Sequence, residues 1–499
     1  MPTRKTILFA VLAVGLALIS ASAAPKPNII FILADDIGYG DFACYGATRV
    51  KTPHVDQLAR EGIRFTDAHA TGSVCTPTRY SFMTGQYAWR NPLGGTILSG
   101  EAPLAIDTTK ATTASLLRQA GYTTGIVGKW HMGLGTGRID WNTDIKPGPL
   151  EVGFDYAFIF PATGDRVPCV FIENHRIVGL DPKDPIQVSY QHKVGDEPTG
   201  RENPELLKMK FTAADHGGTI IDGISRVGWM SGGKAARWKD EEMADTLTKK
   251  AVAFIERSKD GPFFLYLATH DIHVPRVPHP RWKGTSGCGT RGDAIKEFDG
   301  CVGEIAATLD RLKLADNTLL IVTSDNGGRM DDGYESGDTR DAHGHKCNGS
   351  LRGYKNSLYE GGHREPFVAR WPGHIKAGAT SDKLIGLVDM LATFAAITGE
   401  NVPPDAGPDS FNVLPALLGG KSPRDNLVLQ ANGIHRLAVR QGPWKYIPGT
   451  EKSGLPAAEL FNLDTDLGEK HNIASEQPDR IKEMAQLLQR IRDNEKTHP

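Results

Sequence analysis

Four short apolar runs dictate most of what this chain can become. They are "NIIFILADD", "TTGIVGKWH", "FFLYLATHDIH" and "TLLIVTSDNG". Each is aliphatic or aromatic with little alternation, and each ends in polar residues. A strand wetted on one face alternates, so an unbroken run fits a central strand covered on both faces. Helical patterns lie between them, among them "HVDQLAREG", "TTASLLRQAG", "EMADTLTKKAVAFIERS" and "CVGEIAATLDRLKL". Strand and helix in alternation predict an α/β domain, a large mostly parallel sheet flanked by helices. Open sheets of this kind carry their sites at the carboxyl ends of the strands. Asp35 and Asp36, Lys129 and His131, His270 and His273, and Asp325 and Asn326 all fall there. Clusters distant in sequence are therefore expected to be neighbours in space.

The 499 residues suffice for one large or two unequal domains. A formal net charge of −2 gives no basic excess to suggest nucleic acid. Arg4 and Lys5 precede an apolar run from Ile7 to Ile19 and then "SASAAPKPN". That pattern reads as a signal peptide over residues 1–24, and the run is short for a membrane span. Secretion or export to a periplasm is expected, without stable membrane association. The catalytic α/β domain is expected over 25–376. Its section from Asp140 to Arg237, richer in Gly and Pro, reads as an insertion of loops and short strands. From about Ala377 a smaller C-terminal α+β subdomain is expected over 377–499, an antiparallel sheet with the amphipathic helix "QPDRIKEMAQLLQRIRDNEK" packed on it. Export permits disulfides, and Cys288 and Cys301 are the pair expected by proximity in sequence, although connectivity cannot be read from spacing.

Asp35, Asp36, Asp325 and Asn326 offer four hard oxygen donors. Adjacent carboxylates repel unless a cation holds them, and oxygen-only ligation suits Ca²⁺ or Mg²⁺. An all-protein cage with little water favours one Ca²⁺. Arg79, Lys129, His131, His273 and Lys355 would stand around it as cations. Such a cluster suits an anion with several oxygens, a phosphoryl- or sulfuryl-like centre. Cys75 lies in "SVCTPTR". Thr76 suits an N-cap and Pro77 a first helical position, so Cys75 is expected at the mouth of a helix that ends near Gly85, with Arg79 on its first turn.

"CTPTR" resembles the signature of the type I sulfatases, a family of the alkaline-phosphatase-like superfamily. "ADDIGYGD", "TTGIVGKWHMG", "IHVP", "TSDNGG" and "LRGYKNSLYEGGHREPFVARWPG" follow in the family's order. The resemblance implies that Cys75 is oxidised to formylglycine by a formylglycine-generating or sulfatase-maturating enzyme. It implies that residue 75 also completes the metal shell of Asp35, Asp36, Asp325 and Asn326. The hydrated aldehyde would attack sulfur, with Arg79 steadying residue 75 and Lys129 holding sulfate oxygens. His273 and Lys355 would flank the leaving oxygen, and His131 would take a proton from the second hydroxyl.

Substrate choice is expected from loops around the pocket, first of all Arg329–Ser350, "RMDDGYESGDTRDAHGHKCNGS". Asp332 and His345 in this loop, and His270 three residues before His273, are candidate substrate contacts. A sulfated carbohydrate is the expected substrate. The alternatives are an arylsulfatase of broad specificity and a phosphatase or phosphonate hydrolase on the same fold. That last class commonly uses a Thr or Ser nucleophile and two zinc ions, whose second-metal ligands are not evident in this sequence. A decayed, non-catalytic glycan-binding protein is the remaining reading.

Overall fold

The structure, a computed structural model, describes residues 26–449 and 455–498. The signal peptide read over 1–24 lies outside the described residues.

An eleven-stranded sheet organises the chain. Its strands are β1 (Asn28–Ala34), β2 (Ile63–His69), β3 (Thr123–Lys129), β4 (Tyr156–Phe160), β5 (Ile172–Glu173), β6 (Arg176–Ile177), β7 (Phe263–Ala268), β8 (Thr318–Ser324), β9 (Arg364–Arg370), β10 (Ala379–Ser381) and β11 (Ile385–Gly386). The order is β10-β2-β9-β8-β1-β7-β3-β4-β5-β6, with β11 also on β2. The middle of the sheet, β8-β1-β7-β3-β4, is parallel, and its strands are the four apolar runs plus β4. β9 runs antiparallel to both β8 and β2.

Both faces of this sheet are covered, which is why its strands need no alternation. On one side pack α1 (Pro53–Glu61), α4 (Met243–Ser258) and α5 (Gly289–Arg311); on the other pack α2 (Cys75–Thr84), α3 (Thr113–Gln119) and α6 (Met390–Thr398). Strand β7 demonstrates the division. Phe263 meets Phe254 of α4, while its neighbours of opposite parity, Phe264 and Tyr266, meet Phe394 of α6 and Phe82 of α2.

Several expectations need correction. Strand β4 lies inside the segment 140–237 and extends the parallel sheet, so that segment is not wholly an insertion. The rest of it does form short pairs and turns. The division expected at Ala377 falls within the large layer: β10 and β11 pair with β2, and Phe394 of α6 joins the main core. The separate antiparallel sheet consists of β12 (Asn426–Gln430), β13 (Leu437–Gln441), β14 (Trp444–Ile447) and β15 (Glu459–Asn462). The helix α7 (Pro478–Asp493) covers it with Met484, Leu487, Leu488 and Ile491. All six cysteines are unpaired. Cys288 caps α5 and Cys301 lies within it, so thirteen residues of helical rise, about 20 Å, keep the two thiols apart.

Candidate functional site

The carboxyl ends of β1, β8, β7 and β3 meet at one edge of the sheet, and the chain turns sharply at two of them. Asp36 (φ 64°) and His131 (φ 54°) both adopt left-handed backbone, which is uncommon for non-glycine residues. Ala34 pairs with Ser324, so Asp35-Asp36 and Asp325-Asn326 emerge side by side. Lys355 joins them for a topological reason. It precedes the antiparallel strand β9, and residues before such a strand lie at the edge where its parallel neighbours end.

Helix α2 brings residue 75 to this edge. The helix begins at Cys75 itself, with Val74 as its unassisted N-cap. Thr76 is not the cap, because its hydroxyl donates to the His131 carbonyl (2.9 Å) and accepts from Leu98 N–H (3.3 Å). Gly85 closes the helix in left-handed backbone (φ 64°), donating to Ser81 O. The Cys75 Sγ lies 3.7 Å from Asp35 Oδ1. Burial pushes the thiol up to about 12, with Lys129 opposing and Asp325 and Asp35 adding to the rise.

Arg79, one turn on, is fully buried and donates through Nε (3.0 Å) and Nη2 (2.7 Å) to Asp325 Oδ2. It thereby ties the nucleophile's helix to the end of β8. Lys129 Nζ donates to Asp35 Oδ2 (2.7 Å), and Lys355 Nζ donates to Asp36 Oδ2 (2.9 Å) and Asp332 Oδ2 (3.0 Å). Asn326 Nδ2 donates to Asp36 Oδ1 (2.6 Å).

These residues fit a hard cation. Asp35, Asp36, Cys75 and His273 each present one ligand atom within 4.8 Å of the others. Asn326 Oδ1 is buried and has no hydrogen-bond partner. Burial, then Asp325 and Asp36 beside it, pushes Asp35 up to about 7 despite Lys129. A divalent ion would relieve that crowding. Asp325, read from sequence as a ligand, lies outside the tight group. Its Oδ2 is taken by Arg79, and its Oδ1 accepts from Asp36 N–H (3.3 Å).

The two histidines differ in which nitrogen is free. His131 Nε2 faces the Leu98 carbonyl (2.9 Å), so Nε2 carries the proton and the unpartnered Nδ1 is an acceptor. His273 Nδ1 faces the Val274 carbonyl (2.8 Å), leaving Nε2 open, 4.0 Å from Asp36 Oδ2. Burial, joined by Lys129 for His131 and by Lys355 for His273, holds both well below the usual histidine range.

A cavity of about 270 Å³ opens in front of Cys75, lined by His131, His273, Lys355 and Asp332 among others. Of the three substrate contacts expected from sequence, only Asp332 lines it. His345 turns inward, its Nε2 2.8 Å from Asp41 Oδ1, and Arg291 grips the same buried carboxylate through two 2.6 Å bonds. His270 is buried edge-on against Phe160 and packs so closely on Gly164 that a Cβ there would come within 2.4 Å of its ring. Burial pushes it down to about 3.

In their place the cavity is lined by residues that sequence reasoning missed: Asp165, Arg166, Asp215, His216 and Asn356. The first four come from the segment 140–237: Asp165 and Arg166 follow the carboxyl end of β4, a signal the sequence did offer, whereas no strand end or motif spacing marks Asp215 and His216. Arg166 Nη1 reaches Asp165 Oδ1 (3.2 Å). His216 lies between two carboxylates, with Nδ1 2.8 Å from Asp215 and Nε2 3.2 Å from Asp165, the latter a charge contact without hydrogen-bond alignment. Burial alone would lower His216, but Asp165 and then Asp215 outweigh it and the net shift is upward. The stability these pairs contribute is therefore complete below about pH 6.5 and is lost as pH rises through the higher folded value. NMR titration is expected to place His216 above 6.5, and Asp165→Asn to bring it down. An unchanged titration in the variant would show that Asp165 does not hold the proton.

The sulfatase family model matches residues 27–400. The chain is 50% identical over 482 residues to the N-acetylgalactosamine-6-O-sulfatase of Bacteroides thetaiotaomicron, over 94% of this chain and 93% of that protein. It is 32% identical over 514 residues to human arylsulfatase A, over 98% of this chain and 90% of that protein. A solved structure from work on the metabolism of multiple glycosaminoglycans by B. thetaiotaomicron gives a TM-score of 0.91 at 49% identity, covering 94% of this chain and 100% of that one. The phosphonate monoester hydrolase of Agrobacterium radiobacter, at 18% identity and a TM-score of 0.56 over 94% of this chain and 96% of that one, shares the fold alone.

Proposed function

Because the chain belongs to the sulfatase family, it hydrolyses sulfuric esters, and we propose that its substrate is a sulfated carbohydrate. The observation that carries the sugar reading is the lining of the cavity. Asp165, Arg166, His216 and Asp332 put alternating charged donors and acceptors beside Cys75, where an aryl ester would want apolar walls. The half-identical relative named for an N-acetylgalactosamine 6-sulfate makes a 6-sulfated N-acetylhexosamine the first sugar to try.

A formylglycine at position 75 would supply a nucleophile toward sulfur, and a Ca²⁺ held by Asp35, Asp36, Asn326 and residue 75, with Asp325 beside them, would supply charge that steadies the sulfate oxygens. The rest falls to the chain's own side chains. Lys129 and Lys355 bind sulfate oxygens, exchanging part of their grip on Asp35 and Asp36 for the anion. Arg79 holds α2 in place through Asp325. Lys355 keeps its proton firmly: burial opposes the charge, but Asp332 and Asp36 raise the amine well above its usual range. His273 presents Nε2 beside it, and an anionic substrate raises that nitrogen toward protonation, so that it can donate to the leaving oxygen. His131 Nδ1 accepts a proton from the group at position 75. Maturation by a formylglycine-generating or sulfatase-maturating enzyme, and export directed by the N-terminal segment, belong to the same reading.

The test is kinetic. Sulfate esters of N-acetylgalactosamine, of a second sugar and of nitrophenol are compared with the matching phosphate esters. A preference for sulfate over phosphate, and for sugar over aryl, is expected. Faster turnover of phosphate, or a zinc requirement, would move the protein to the phosphatase reading; equal rates on aryl and sugar sulfates would remove the carbohydrate assignment.

A further inference from the structure

On the sulfatase reading Lys355 takes a sulfate oxygen and gives up part of its grip on Asp36 and Asp332, so those bonds cannot be what holds it during the reaction. The holding contacts lie on the next residue. Lys355 and Asn356 sit in a loop whose base is closed by the Gly361 N–H donating to the Arg352 carbonyl (2.7 Å). Within it the Ser357 N–H donates to the Tyr354 carbonyl (2.9 Å), which makes Lys355 and Asn356 the central pair of a tight turn. Asn356 adopts left-handed backbone (φ 70°). The second central place of such a turn takes glycine or asparagine when φ is positive, and asparagine tolerates that region better than most side chains.

Asn356 is tied down on two sides. Its N–H donates to the carbonyl of Ser73, just ahead of position 75 (2.7 Å). Its Oδ1 accepts from the Asn432 N–H (3.0 Å) and from Arg436 Nη1 (3.3 Å). Asn432 and Arg436 lie between β12 and β13, so these donors come from the smaller sheet. The same turn reaches the opposite wall: Asn432 Oδ1 accepts from the N–H of Ile97, which lines the cavity (3.1 Å). Gln430, the last residue of β12, accepts through its carbonyl from the Ser73 N–H (2.7 Å) and the Ser73 hydroxyl (3.1 Å). One end of the smaller sheet therefore grips both the segment that leads into residue 75 and the residue that follows Lys355.

We propose that Asn356 is a positioning residue that sets Lys355 relative to residue 75, with the β12–β13 turn as its anchor. The smaller sheet is then a working part of the active site. The proposal rests on the sulfatase reading, in which Lys355 and His273 flank the leaving oxygen. A fixed positive charge there matters most when the leaving alcohol is poor, because more negative charge then develops on that oxygen in the transition state. A displaced Lys355 therefore leaves a signature in the dependence of rate on leaving group, which a general loosening of the fold does not.

The test uses the mature enzyme and two variants. Asn356→Gly keeps the left-handed backbone without strain and removes the Oδ1 acceptor, so folding is not at risk; Asn356→Asp keeps both backbone and acceptor. Each is compared with the parent on phenyl sulfate and nitrophenyl sulfate, esters of similar shape whose leaving groups differ. Asn356→Gly is expected to lose roughly tenfold in kcat on phenyl sulfate and only about twofold on nitrophenyl sulfate, and Asn356→Asp to recover most of that loss. Equal losses on the two esters, no loss on either, or an Asp variant no better than the Gly variant overturns the proposal. A crystal structure of the Gly variant supplies a readout independent of turnover. Lys355 Nζ displaced from Asp36 is the expected result, and Lys355 in its parental place overturns the proposal. Failure of the sulfatase reading would appear separately, as no turnover of either ester by the parent, and the crystal structure then decides alone.

Discussion

Cys75→Ala is expected to abolish turnover, by about 10⁴-fold or more, while leaving the fold intact. The size of the effect follows from position. Residue 75 is the first residue of α2, faces the cavity, and is surrounded by Asp35, Lys129 and Arg79 from three different elements. A small buried side chain is exchanged for one slightly smaller, so the stability cost should be about 1 kcal/mol. As a thiol, Cys75 is a poor nucleophile: it is buried among carboxylates that disfavour the thiolate. Mass analysis of the peptide from a host with the maturation machinery is expected to find residue 75 about 18 Da lighter than cysteine. Protein made without that machinery should keep the thiol and be inactive. Full activity with an unmodified thiol would sink the mechanism. Cys75→Ser should at most accumulate a sulfated enzyme, since a serine ester has no second hydroxyl through which to release it.

Removal of calcium is expected to eliminate turnover almost as completely, and Ca²⁺ rather than Zn²⁺ should restore it. The expected effect on stability is far smaller. Lys129 and Lys355 each bond directly to one carboxylate of the Asp35-Asp36 pair, so the crowded charges are already partly neutralised within the protein. Ion binding at about a hundredfold above its dissociation constant adds about 2.7 kcal/mol, a shift of a few degrees in a chain of this length. Calcium-dependent turnover with only a small change in Tm is therefore the expected pair of results. Asp36→Asn should weaken the calcium response in both measurements. Purified protein holding two zinc ions, with turnover lost on their removal, would replace this centre by that of the phosphatase alternative. Asp325→Ala is a less clean probe, because it removes the bidentate partner of the buried Arg79 and leaves it only Asp35 at 3.9 Å, a defect of up to about 3–5 kcal/mol by itself.

The sequence by itself determined the sheet and one edge of it. Short unbroken apolar runs alternating with helical patterns fit central strands, so β1, β3, β7 and β8 and the polar residues after each were legible, and with them the grouping of Asp35, Asp36, Lys129, His131, His273, Asp325 and Asn326. The "CTPTR" motif located the nucleophile because its residues are contiguous. Tertiary structure decided what contiguity and periodicity do not encode. Thr76 left the cap because a carbonyl from the end of β3 was a better partner for its hydroxyl. His345 left the pocket because the buried Asp41–Arg291 pair needed it, and His270 was enclosed by Phe160 and Gly164. Residues 379–386 joined the large sheet because β2 had an open edge to pair with, and α6 then packed on its face. The far wall of the cavity, Asp165, Arg166, Asp215 and His216, came from a segment without motif, in which only the end of β4 marks Asp165 and Arg166. Its side chains are placed by turns and long-range pairs, and only the folded chain fixes where those point.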